Sequence, residues 1–238
     1  MTEAVLVHGT PLDRRAWGPL VAELPDVRCV AYDLPGHGAR AVEELTTYDA
    51  LADDLARVLD AHRLDRAHVV GHSFGGQVAA TFAVRRPARV ASVAIVCCRL
   101  EPIPAFVPAA DALEANGVAA IADAAIGRWF TPETIDRGDA GVRYARERLA
   151  AARPATLAAA YRLIAAFDGT AALAACGVPV HIVAAERDHV GERAGLRAAA
   201  DAIPGATYAL VEGAGHMLPL EQPARLAELL RSRWRETQ

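Results

Sequence analysis

Six short apolar runs set the terms for any fold this chain can adopt. They are Ala4 to His8, Val27 to Asp33, Ala67 to Gly71, Val90 to Cys97, Val180 to Ala185 and Thr207 to Val211. Most run on without the polar alternation of a strand that has one wet face, which is the pattern of strands buried on both faces. Between them lie stretches with helical spacing: Leu51, Leu55, Val58 and Leu59; less clearly Ala194, Leu196 and Ala200; and near the end Leu220, Ala224, Leu226, Leu229 and Leu230. Repeated strand–helix alternation predicts an α/β fold, with a mostly parallel, doubly wound sheet of about six strands and helices on both faces. A chain of 238 residues, 53% of them apolar, is long enough to fill one such core.

One stretch breaks the rhythm. From Arg99 to about Asp168 no strand is convincing. The stretch opens with a proline-rich link (Pro102, Pro104, Pro108) and continues as Ala-rich helical segments. This predicts a core formed by residues 1–98 and 169–238, with a helical cap, 99–168, inserted between two strands.

The sharpest local signal is Gly71-His72-Ser73-Phe74-Gly75-Gly76, which follows one expected strand and precedes a helix with Val78, Ala79 and Phe82. Gly-x-Ser-x-Gly in that context is a nucleophile elbow, a strained turn that lifts a serine hydroxyl clear of the sheet at a helix N-terminus. A serine hydroxyl is a poor nucleophile at neutral pH and needs a base. Of the eight histidines, His62 and His68 flank a helix–strand junction and read as surface residues, His181 lies inside a strand, and His72 reads as structural. His216 differs. It sits in the glycine-rich loop Glu212-Gly213-Ala214-Gly215-His216, after the last strand and at the sheet edge that carries the elbow. The carboxylate to orient it is expected after the preceding strand. There Asp188 is the candidate, and Glu186 is a rival set too close to the strand end. Two backbone N–H groups are expected to form the oxyanion hole, that of Phe74 and that of Thr10 in His8-Gly9-Thr10-Pro11.

Composition removes other classes. The net charge is −4, so no basic field exists to draw in nucleic acid or an anionic membrane. Every basic side chain apart from histidine is Arg, which excludes a lysine Schiff base or phosphate-loop lysine in this chain. The four cysteines suit neither a disulfide framework nor a zinc site, and Cys97 and Cys98 read as small buried hydrophobes. No cofactor or metal is expected. The first residues lack a signal-peptide pattern and no apolar run reaches the ~18 residues of a membrane span, so a cytoplasmic location is expected.

On these residues the chain resembles the α/β-hydrolase superfamily along nearly its whole length, in which the Ser-acid-His order is Ser73, Asp188, His216. His8-Gly9-Thr10-Pro11 with Trp17 looks like the oxyanion-loop signature, and Asp33-Leu34-Pro35-Gly36-His37-Gly38 like a structural loop after the next strand; Gln222-Pro223 also fits. Within the superfamily it is similar to the 3-oxoadipate enol-lactonase-like branch. That likeness rests on Asp13, Arg15, the cap segment Gly117 to Asp123, and above all Arg128-Trp129-Phe130-Thr131-Pro132. The chain departs from the branch at Phe74, where it usually has Met, and at His189-Val190, where it usually has Thr-Pro. Against larger relatives the resemblance implies a sheet without their two leading hairpin strands, so Ala4 to His8 is expected inside the sheet. The resemblance implies a serine hydrolase acting on a small-molecule carboxylic ester or lactone. A thioesterase or lyase using the same triad, or a ligand-binding receptor with a slow or inactive one, are the alternatives. It also makes Arg128 and Trp129 candidate substrate contacts or, failing that, helix-packing residues, with Arg99 and Arg162 as other cations flanking the cap.

Overall fold

In the computed structural model, which describes residues 1–236, six strands form one parallel sheet in the order β2-β1-β3-β4-β5-β6. They are β1 (Thr2–Val7), β2 (Val27–Tyr32), β3 (Ala67–His72), β4 (Val90–Val96), β5 (Val180–Ala185) and β6 (Thr207–Val211). Every expected run is a strand, with ends moved by a residue or two: β1 starts at Thr2, His8 lies beyond it, and β3 takes in His72. β1 lies inside the sheet, with Val5 opposite both Val30 and Val69.

The unbroken apolar character of the runs has a direct cause. Successive strand residues point to opposite faces, and here both faces are covered. Val5, Val7, Val69, Val93 and Ile95 pack with Leu51, Leu55, Val78 and Phe82 from the helices Tyr48–Ala61 and Phe74–Arg85. Leu6, Val70, Ala94 and Val96 pack with Trp17, Leu20 and the terminal helix Pro223–Glu236 through Leu226 and Leu230. His68 shares the second face with Val70. It is buried, not the surface residue its position suggested, with Nδ1 2.8 Å from Ser92 Oγ and its ring stacked on Trp234. The terminal helical pattern divides at Pro223, so Leu220 belongs to the short helix Leu218–Glu221.

Among the described residues between β4 and β5 there are helices only, the longer ones being Phe106–Asn116, Ala122–Trp129, Ala140–Ala151 and Pro154–Ala166. Pro108 falls in the first turn of Phe106–Asn116, not in the link before it; there a missing N–H breaks no helical hydrogen bond. No helix among the described residues is long and apolar enough to cross a membrane.

Because all strands run the same way, their C-terminal ends share one edge. The loops that follow β1, β3, β5 and β6 there carry Thr10, Ser73, Asp188 and His216. Strand order reverses between β1 and β3, and such a switch point opens the crevice where open α/β sheets place ligands.

Candidate active site

Ser73 links β3 to the helix Phe74–Arg85 with φ 52° and ψ −125°. A non-glycine residue held there stores on the order of 1–3 kcal/mol. Its surroundings hold the conformation in place: Ser73 N–H donates to the Val96 carbonyl at 2.9 Å, and the Ser73 carbonyl accepts from Gly76 N–H at 2.7 Å. The flanking glycines are steric requirements. A Cβ on Gly71 would overlap the Gly75 carbonyl, and one on Gly75 would overlap the carbonyl oxygens of Val7 and His8.

The Ser73 hydroxyl lies 3.0 Å from His216 Nε2. On the far side of the imidazole, Nδ1 lies 3.1 and 3.0 Å from the two oxygens of Asp188. Asp188 Oδ1 also accepts the backbone N–H groups of Val190 at 2.7 Å and Gly191 at 2.8 Å. Burial pushes the Asp188 carboxyl up, but the neighbouring imidazole and these two N–H groups outweigh it and hold the group at about 2. Glu186 does not touch the imidazole. Its carboxylate accepts Gly213 N–H at 2.9 Å and so braces the loop that carries His216.

His72 and Glu221 also hold this loop. His72 donates Nε2–H to the His216 carbonyl at 2.8 Å, and burial pushes its imidazole down to about 3, so it stays neutral. Glu221 accepts Gly215 N–H at 2.7 Å through one oxygen, and Thr131 N–H at 3.0 Å and its hydroxyl at 3.1 Å through the other. The Trp129 carbonyl accepts Met217 N–H at 3.0 Å. The Trp129 to Thr131 segment is thus docked on the His216 loop, a role that local sequence patterning gave no means of assigning.

The loop after β1 closes against the elbow. A Cβ on Gly9 would stand 3.0 Å from Ser73 Cβ, so only glycine allows this approach without displacement. Thr10, the next residue, lines a cavity of about 500 Å³ together with Ser73, Asp188 and His216. Phe74 opens its helix, where N–H groups have no intrahelical acceptor. The cavity wall is apolar on one side, with Ile103, Phe106, Tyr161 and Ile164. Phe106 meets Tyr161 edge to face at 4.9 Å. Trp129 is buried in the wall and Arg128 is exposed at the rim. Among the described residues Arg128 forms no ion pair. Arg99 reaches the cavity but is paired with Glu101 at 2.8 Å and Glu192 at 3.0 Å. Arg162 is not at the cavity; Asp111 and Glu114 hold it outside.

A serine hydroxyl, an imidazole and a carboxylate in hydrogen-bonded series have the geometry to move a proton from hydroxyl to imidazole while an electrophile is attacked.

Comparison with known proteins agrees with this architecture. The chain is 29% identical over 220 residues to 3-oxoadipate enol-lactonase 1 of Acinetobacter baylyi, covering 91% of this chain and 82% of that one. It is 31% identical over 247 residues to the pimeloyl-(acyl-carrier protein) methyl ester esterase of Aromatoleum aromaticum, covering 96% of each. The crystal structure of the enol-lactonase from Burkholderia xenovorans superposes with a TM-score of 0.90 at 27% identity, covering 97% of this chain and 90% of that one. Residues 4–229 match the alpha/beta hydrolase family, and with a match of that extent the chain belongs to it.

Proposed function

We propose that this protein is a serine hydrolase that cleaves a small carboxylic ester or lactone through an acyl-enzyme. The observation that carries the reading is the Ser73–His216–Asp188 series, with contacts of 3.0 to 3.1 Å, lining a cavity with apolar residues in its wall. The relatives named above support the substrate class.

Ser73 Oγ attacks the acyl carbon while its proton passes to His216 Nε2, and the carbonyl π pair moves onto oxygen. The N–H groups of Thr10 and Phe74 receive that oxyanion, each donor contributing about 3 kcal/mol to the transition state. The tetrahedral adduct collapses, the C–O bond to the leaving alkoxide breaks, and His216 returns the proton to it. In a lactone the alcohol stays tethered to the acyl group. Water then attacks the acyl-enzyme, with His216 again taking the proton, and the acid and free Ser73 are released. Asp188 keeps the imidazole in the Nδ1–H tautomer and stabilises its cation. In this reading residues 99–168 act as a cap that shapes the cavity. Trp129 supplies wall, and Arg128, with no carboxylate partner among the described residues, supplies a cation to the substrate.

The test is a panel of aryl esters, lactones and acyl-CoA thioesters assayed with wild type and Ser73→Ala. Turnover of esters or lactones by wild type and its loss in a folded Ser73→Ala variant are expected. Normal turnover by Ser73→Ala removes the nucleophile assignment. Turnover of thioesters alone, or tight binding with no turnover, replaces the ester reading with a thioesterase or a receptor.

A further inference from the structure

Threonine at the oxyanion loop brings a hydroxyl that the proposed chemistry does not use. Thr10 Oγ1 lies 2.8 Å from His37 Nε2, and both residues are buried. His37 comes from the loop after β2, far along the chain, and its other nitrogen, Nδ1, lies 3.0 Å from the Pro35 carbonyl. A carbonyl can only accept, so Nδ1 carries the proton. Nε2 is then a lone pair, and the Thr10 hydroxyl must donate to it. Burial pushes His37 down to about 3, with repulsion from His8 adding to the effect and the Pro35 carbonyl, Asp33 and Asp13 only partly opposing it. The neutral tautomer is therefore the one present at working pH.

The tie joins others in the same loop. His8 donates Nδ1–H to the Gly9 carbonyl at 3.0 Å while accepting Leu34 N–H at 3.0 Å. Asp13 N–H donates to Tyr144 Oη at 3.0 Å. Thr10 itself borders not only the cavity above Ser73 but a second one of about 200 Å³, shared with His37, Gly36 and Leu157. Thr10 is nevertheless buried, and the carbonyl of the Gly9–Thr10 peptide also accepts Leu12 N–H at 2.9 Å, so the bond to His37 adds a directional side-chain tie to a peptide already held at its carbonyl.

We propose that His37 is a positioning residue for the Thr10 N–H. By accepting the hydrogen bond from the Thr10 hydroxyl it completes, together with the two donors to the Gly9 carbonyl, the hold on the peptide between Gly9 and Thr10 beside Ser73, where the substrate oxyanion forms. The proposal rests on reading Thr10 as an oxyanion donor. It predicts an effect on kcat and little on KM, because the oxyanion exists in the transition state and not in the bound ester.

The experiment compares Thr10→Val, His37→Leu, their double variant and His37→Gln on one neutral ester, recording kcat, KM and Tm, with Ser73→Ala alongside. Thr10→Val removes the hydroxyl at nearly constant shape and keeps the backbone N–H. Each single variant should lower kcat about ten-fold at a KM within about two-fold of wild type. The double variant should be no slower than either single one, since both break the same bond. His37→Gln puts an amide oxygen near the Nε2 position and should recover kcat to within about three-fold. Should His37→Leu fail to fold, Thr10→Val and His37→Gln carry the test. Wild-type kcat in folded Thr10→Val, multiplied losses in the double variant, or losses carried by KM would overturn the proposal. Turnover that survives in Ser73→Ala would instead overturn the serine-hydrolase reading beneath it, so the two failures are distinct.

Discussion

At His216 the two ring nitrogens face different chemistry, so which one carries the proton decides whether the site works. Asp188 accepts from Nδ1 and leaves the Nε2 lone pair facing Ser73. Asp188→Asn presents an amide donor to Nδ1 and favours the opposite tautomer. In the best-studied triad this change costs about 10⁴ in kcat, and a loss of that order is expected here with the fold intact. Glu186→Gln should stay near wild type, because Glu186 braces a backbone N–H and does not touch the ring. Steady-state kinetics on both variants decide between the two carboxylates, and the reverse ranking assigns the acid wrongly. At the rim, Arg128 differs from Arg99, whose charge is already answered by Glu101 and Glu192. Arg128→Ala should raise KM about ten-fold for an ester bearing a carboxylate and leave a neutral ester of equal size nearly unchanged. Equal effects on both substrates leave Arg128 as a rim residue with no part in recognition.

The elbow was legible in the sequence because its requirements are local. Gly71, Ser73 and Gly75 lie within a few residues of one another, and the contacts that forbid a Cβ at Gly71 come from that same turn. Asp188 and His216 were legible for a related reason: in a parallel sheet, loops that follow strands share an edge. The ties between loops were not legible. Thr10–His37, Glu221–Thr131 and Asp13–Tyr144 join residues 27, 90 and 131 positions apart, and no periodicity reports such distances. His68 was misplaced because a polar residue beside a helix–strand junction suggests exposure, whereas Ser92 on the neighbouring strand satisfies it inside. Two variants test the elements. Gly75→Ala drives a methyl group into the carbonyls of Val7 and His8, and should lower stability by about 3 kcal/mol, seen as a fall in denaturant midpoint. A Gly75→Ala protein as stable as wild type contradicts the packing of the elbow on β1. Glu221→Ala frees Gly215 and Thr131 together and should lower Tm and kcat alike; unchanged kcat would mean that the segment at Trp129 does not steady His216.

Across the whole molecule, buried histidines set the response to acid. Burial pushes His37 and His72 down to about 3 and His68 and His181 to about 4, and also lowers His8. In the unfolded chain these imidazoles take up protons near 6.5, while in the folded chain they resist until the lowered values. Stability is therefore level above about pH 6.5 and falls as pH drops below it. Asp13 and Asp188, both held at about 2, stabilise the fold above their ordinary range and add to the loss only below about pH 4. Differential scanning calorimetry should show Tm falling on the order of 10 °C between pH 7.5 and 5; a flat Tm across that range contradicts the neutral, buried state of these rings. Whether Ser73 is the nucleophile is decided by an aryl phosphonate and mass spectrometry of the intact and digested protein. One phosphonyl group per chain is expected, on the peptide containing Ser73, with turnover lost in step with labelling and no adduct in Ser73→Ala. Label on a different residue while turnover disappears, or turnover that persists with Ser73 fully labelled, would assign the nucleophile elsewhere.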